Sequence, residues 1–142
     1  MVKTAPKNKA KIEIPLSKAG SAATKLATTI KGGEVIALIG ELGSGKTTFT
    51  KALGKALGIT RNIPSPTFVM MQEFTVPAKR SREKLFLYHL DLYRTKNFAE
   101  VKSLGITQWW GHPETVTVIE WADKILKDLP KDTTIIYLHR DK

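Results

Sequence analysis

The chain predicts an α/β fold of three layers, with a mainly parallel central sheet and an antiparallel hairpin portion. Three observations carry that prediction. Apolar strand-like runs are interspersed with helix-compatible stretches, the pattern of helices packed on both faces of a sheet. One run, Val35-Ile36-Ala37-Leu38-Ile39, is continuously apolar, as a strand buried on both faces requires. It leads directly into Gly40-Glu41-Leu42-Gly43-Ser44-Gly45-Lys46-Thr47, which matches G-x-x-x-x-G-K-[ST] between a strand and a helix start.

The elements follow in order. Met1 to Lys11 is polar and lysine-rich and reads as a disordered basic tail, leaving residues 12–142 as a single domain. Ile12-Glu13-Ile14 predicts a short edge strand stopped by Pro15. Ser17 is the expected N-cap of a helix reaching about Ile30, with Ala23, Leu26, Ala27 and Ile30 as its buried stripe. Lys31-Gly32-Gly33 then turns into the Val35 strand. Thr47 to Leu57 predicts a second helix burying Phe49, Leu53, Ala56 and Leu57, ended by Gly58. Two extended runs, Phe68 to Phe74 and Leu85 to Leu92, flank a basic loop and predict a long-looped hairpin. Asn97 to Leu104 predicts a short helix followed by Gly105. Val116 to Ile119 and Thr133 to Leu138 predict two further strands.

Composition narrows the function classes. The chain has 142 residues, one domain by length, with an ordinary hydrophobic share of 42%. No apolar run approaches the ~20 residues that span a bilayer, and the lysine-rich start lacks the apolar core of a signal peptide. A chain without cysteine has no disulfide or thiolate metal site, and cytoplasmic placement is the default expectation. The net charge of +10 favours polyanions such as nucleic acid or an acidic protein surface. Lys79, Arg80, Arg82 and Lys84 form one visible cluster. No aromatics interleave the basic runs, so a base-stacking platform is not indicated.

The glycine-rich segment is the strongest chemical signal. Its backbone N–H groups, with those of the following helix start, point at phosphates. Glu41, Leu42, Gly43, Ser44, Gly45, Lys46, Thr47 and Thr48 are therefore the expected nucleotide contacts. Lys46 would neutralise phosphate oxygens and the Thr47 hydroxyl would hold Mg²⁺. A triphosphate site also needs an acid near the metal and a group that orients water. Two apolar strands end in an acid, Asp91 and Glu120, and both are candidates for the position beside the metal. His89 alternates with Asp91 on one strand face, where it could orient the acid. Thr67, in Ser65-Pro66-Thr67-Phe68, is placed to reach a phosphate. Trp109, Trp110 and Trp121 read as core or interface residues.

The order Gly40–Thr48, Ser65-Pro66-Thr67-Phe68, His89-Leu90-Asp91-Leu92-Tyr93-Arg94, Leu104-Gly105-Ile106 and Ile119-Glu120-Trp121 resembles the TsaE (YjeE) family. Those are bacterial P-loop ATPases of tRNA threonylcarbamoyladenosine synthesis. The resemblance implies a P-loop NTPase-like fold and ATP with Mg²⁺ as ligands. It implies an ATPase, weak alone, that acts on a TsaB–TsaD heterodimer and meets tRNA indirectly, through that complex. By motif it implies that Lys46 and Thr47 bind phosphates and Mg²⁺, and that Glu120 joins the metal shell. Asp91 would act near the attacking water, Thr67 would lie in a switch-like loop, and Trp121 near the nucleotide. The long basic loop from Thr75 to Lys84 and the Gln108-Trp109-Trp110 segment depart from the family's pattern. Two rival readings differ in class. A small-molecule kinase would need a lid supplying arginines, and nothing in the chain resembles a helical lid. A non-catalytic nucleic-acid module fits the charge but leaves the phosphate loop unexplained.

Overall fold

In the computed structural model, which describes residues 10–60, 70–77 and 84–141, strands and helices form three layers. Strands β1 (Ala10–Pro15), β2 (Val35–Ile39), β3 (Met71–Thr75), β4 (Phe86–Asp91), β5 (Thr115–Glu120) and β6 (Thr134–His139) make one sheet. Its order is β1-β6-β2-β5-β4-β3. Every neighbouring pair is parallel except β3 with β4, the expected hairpin. Helices α1 (Ala19–Ala27) and α2 (Lys46–Ala56) cover one face, while α3 (Phe98–Ser103) and two 3₁₀ segments (Ile106–Trp109 and Ala122–Asp128) cover the other.

The cores follow from strand alternation. Ile36, Leu38, Val116, Val118, Leu87 and Ile136 point at α1 and α2, where Ala19, Ala23, Phe49 and Leu53 are fully covered. Val35, Ala37, Ile119, Leu90 and Ile135 point at the opposite layer. Strand β2 has both edges paired, with β5 and β6, and its side chains alternate between the two covered faces, as its unbroken apolar run requires.

The outcome differs from the sequence reading at the chain's start. Strand β1 begins at Ala10, so Ala10 and Lys11 belong to the sheet rather than to a tail. Ser17 is not the N-cap of α1: Leu16–Lys18 form a 3₁₀ turn, and the cap position is Lys18, with no side-chain hydrogen bond. The Ser17 N–H instead donates to Asp141 Oδ1 at 2.8 Å. Helix α1 also stops at Ala27, short of Ile30. The Thr28 and Thr29 hydroxyls donate to the Lys25 and Leu26 carbonyls, at 2.7 and 2.8 Å, competing with helical continuation. Gly58, at φ +93°, ends the turn after α2 as expected. The tail to Lys9, Thr67 with its Ser-Pro-Thr-Phe context, and the loop cluster Lys79, Arg80 and Arg82 lie outside the described residues.

The topology fixes where a ligand can bind. The chain leaves the carboxyl end of β2 towards α2 on one face. It leaves β5 towards the Ala122–Asp128 segment on the other. Adjacent parallel strands diverging to opposite faces open a crevice at their carboxyl ends.

Candidate functional site

The glycine-rich loop occupies that crevice. Gly43 at φ +79° and Gly45 at φ +109° take left-handed backbone conformations that L-residues with side chains adopt only under strain. Gly40 has a steric reason as well: a Cβ there would collide with the Leu138 carbonyl and the Ser44 hydroxyl. The loop ends at Lys46, the first residue of α2. Its first-turn N–H groups have no intrahelical partner and face outward with the positive end of the helix dipole.

Lys46 is buried at 5% exposure, and its Nζ turns back into the loop. It donates to the Gly40 carbonyl at 2.5 Å, the Glu41 carbonyl at 2.9 Å and the Ser44 hydroxyl at 3.4 Å. The ammonium also lies 3.8 Å from the centre of the Trp121 ring, a cation–π contact. Burial pulls the Lys46 pKa below the usual lysine range, opposed by the negative charges of Glu120, Asp123 and Asp91.

Glu120 ends β5 and is 2% exposed. Its two oxygens are held differently. Oε2 lies 2.6 Å from His89 Nε2 and accepts from the Thr50 hydroxyl at 3.4 Å, while Oε1 accepts from the Thr47 hydroxyl at 3.4 Å. The His89 tautomer carrying its hydrogen on Nε2 satisfies this contact; Nδ1 is buried with no partner among the described residues. A hydroxyl and a carboxylate oxygen thus meet at the start of α2. Both are hard oxygen donors of the kind Mg²⁺ takes, so the residues fit that ion. Among the described residues no cluster of three or more His, Cys, Asp and Glu is arranged to hold a metal ion.

Asp91 ends β4 directly opposite Glu120 in the sheet register. Its Oδ1 accepts from the Tyr93 N–H at 3.0 Å. Burial is the main cause raising its pKa above the ordinary carboxylate range, and Glu120 adds to the rise. The Tyr93 hydrogen bond, His89 and Lys46 act against it. Trp121 has φ +59°, the one non-glycine residue with positive φ among those described. Its ring contacts Tyr93 at 5.0 Å between centres. Lys124 braces the segment under Tyr93 by donating to the Tyr93 and Thr95 carbonyls, at 2.5 and 2.9 Å.

The structure therefore brings together Lys46, Thr47, Asp91, Glu120 and Trp121, all expected from sequence. Glu41, Leu42 and Thr48 are exposed around them, whereas Ser44 and Gly45 are buried. Sequence reading passed over Thr50, one helical turn beyond Lys46 on the same face; that spacing was the available signal. It also passed over Arg140. The Arg140 Nη2 donates to the Leu42 carbonyl at 2.9 Å, and a Cβ on Gly43 would come within 3.0 Å of it. No pattern in the chain ties a residue after β6 to the loop tip.

Comparisons with known proteins agree with this geometry. The family model described as "Threonylcarbamoyl adenosine biosynthesis protein TsaE" matches residues 16–142. A protein of Bacillus subtilis (strain 168) named tRNA threonylcarbamoyladenosine biosynthesis protein TsaE is 40% identical over 78% of this chain and 64% of its own length. One of the same name from Nostoc sp. is 42% identical over 70% of this chain and 59% of its own length. A third, from Treponema pallidum, is 34% identical over 81% of this chain and 79% of its own length. The crystal structure of Bacillus subtilis YdiB superposes with a TM-score of 0.61 at 33% identity, covering 82% of this chain and 66% of that one. The chain thus spans about three-fifths of the length of the Bacillus and Nostoc relatives. A phosphate loop at the carboxyl end of a central strand, two strand-end acids beside it and a match over nearly the whole domain agree, and the chain belongs to the TsaE family.

Proposed function

We propose that this chain is an ATP-binding and ATP-hydrolysing subunit needed for N6-threonylcarbamoyladenosine modification of tRNA. It acts on a TsaB–TsaD-like heterodimer and does not transfer the group itself. One observation carries the ATPase reading: Thr47 at the start of α2 meets Glu120 at the end of β5, opposite Asp91 at the end of β4, with Lys46 within electrostatic reach of both acids. The relatives' names support the pathway.

Each side chain has a task in that reading. Lys46 exchanges the loop carbonyls for phosphate oxygens, keeping its charge-assisted hydrogen bonds. The loop amides and the α2 N-terminus hold the phosphates in place. The Thr47 hydroxyl and Glu120 would hold Mg²⁺, which would supply neutralisation of charge on the phosphate oxygens. His89 and Thr50 fix the Glu120 carboxylate so that Oε1 stays turned to Thr47. Asp91, whose pKa burial raises, orients the attacking water. Thr67 contributes to a switch-like loop over the phosphates.

Phosphoryl transfer is mostly positioning and charge stabilisation, and no arginine of the loop motifs takes a finger role. Hydrolysis by the chain alone is therefore slow and rises when the heterodimer completes the site. Phosphate release with ATP and Mg²⁺, measured with and without that pair, tests the reading. Turnover near ~10 s⁻¹ by the chain alone, or no effect of the pair, overturns it.

A further inference from the structure

The distribution of charge over the two outer layers is unequal. None of the 13 Asp and Glu residues falls in residues 14–33 or 42–60, the segments that build the α1–α2 layer. Lys18, Lys25, Lys51 and Lys55 are all exposed there. Lys18 and Lys25 are seven residues apart, two turns along one side of the α1 region, and Lys51 and Lys55 stand one turn apart on α2. The two helices pack directly against each other on the same side of the sheet, so the four lysines share one layer. The opposite layer is mixed: Lys102, Lys124 and Lys127 are interleaved with Glu100, Asp123 and Asp128.

A second feature bears on what such a face can bind. Neither α1 nor α2 exposes a large apolar side chain; the exposed ones among the described residues are Ile12, Leu16, Leu42, Tyr93 and Trp109. The exposed apolar residues of these segments, Leu16 and Leu42, stand at its margin, before α1 and before α2, and the helices themselves present lysines where a protein interface would have an apolar, often aromatic centre. A nucleic-acid backbone needs only a positive surface free of carboxylates. On the β1 side the face ends at a groove of about 260 Å³, where Glu13 meets Lys18 and Lys25 and marks the limit of the acid-free area.

We infer that the α1–α2 layer is a docking surface for the phosphate backbone of RNA, held through Lys18, Lys25, Lys51 and Lys55. The choice of RNA over another polyanion rests on the tRNA-modification reading; the location rests on the charge distribution alone. Recognition at this face is of backbone and shape, without base readout, because no aromatic or amide side chain projects from it.

The test measures binding of the full chain to fluorescently labelled tRNA without nucleotide, across a KCl series. One variant carries Lys18→Glu, Lys25→Glu, Lys51→Glu and Lys55→Glu. Its control carries the same charge change on the other layer, at Lys96, Lys102, Lys127 and Lys131. The first variant is expected to bind at least about tenfold more weakly, with a salt slope shallower by about two to four, while the control keeps most of its affinity. Equal weakening in both variants, no binding by the parent chain, or loss of heterodimer retention with tRNA binding intact would each overturn the inference. ATP-analogue affinity, measured in parallel, stays unchanged in both variants, so failure here is separable from failure of the ATPase reading. A Lys→Gln set at the same four positions guards against misfolding of the charge-reversed chain.

Discussion

His89 Nε2 lies 2.6 Å from Glu120 Oε2, with both side chains buried and Thr50 approaching the same oxygen. Two groups hold one carboxylate oxygen and leave the other to Thr47.

Replacing His89 with Leu leaves that buried oxygen short of a donor, at a cost of about 1–3 kcal/mol in urea unfolding. His89→Gln places an amide nitrogen near the Nε2 position and restores most of the stability. In the same pair, the Mg²⁺ concentration that supports half-maximal nucleotide binding rises in the Leu variant and recovers in the Gln variant. Equal Mg²⁺ dependence in both would mean that His89 serves packing alone.

Lys46→Ala removes the cation that reaches three loop acceptors. Nucleotide affinity is expected to fall beyond detection by calorimetry while the circular dichroism spectrum is retained. Unchanged affinity would separate the loop from the binding site.

Asp91 gives a pH-dependent prediction. Its folded-state pKa is raised, chiefly by burial, so the folded chain holds this proton more tightly than the unfolded chain. Stability from that proton is complete below the unfolded carboxylate pKa and is lost as pH rises through the folded value. At neutral pH the half-buried charge is a liability. Asp91→Asn therefore melts higher than the parent at pH 7, the gap narrows in acid, and phosphate release falls steeply. A variant less stable than the parent at pH 7 would contradict this assignment.

Trp121 gives a backbone prediction. At φ +59°, a glycine is more comfortable than an alanine by about 1 kcal/mol. Trp121→Gly and Trp121→Ala both lose the Tyr93 stack and the face over Lys46. Chemical denaturation should nevertheless rank Gly above Ala, the reverse of the usual order in a loop with negative φ.

Legibility in the sequence tracks the range of the interaction. Lys46 and Thr47 were readable because a phosphate loop is written in consecutive residues. Asp91 and Glu120 were readable because each ends an apolar strand, and their adjacency follows from β4 pairing in register with β5. His89 shares the Asp91 face by alternation, although its bond to Glu120 spans 31 positions. Ser17 was misread because capping propensity is local. A distant carboxylate, Asp141, took its N–H, and the cap fell one residue later. Helix α1 ended early through its own threonines, a competition that hydrophobic periodicity does not register. Arg140 had no local signature at all.

Arg140 and Asp141 are neighbours, yet one holds the Leu42 carbonyl and the other the Ser17 N–H. Two consecutive residues leaving β6 therefore tether the tip of the phosphate cradle and the lead into α1. The lead into α1 and the tip of the loop are thus both anchored to a single dipeptide. Severing either tether would free one of those two segments from the end of β6.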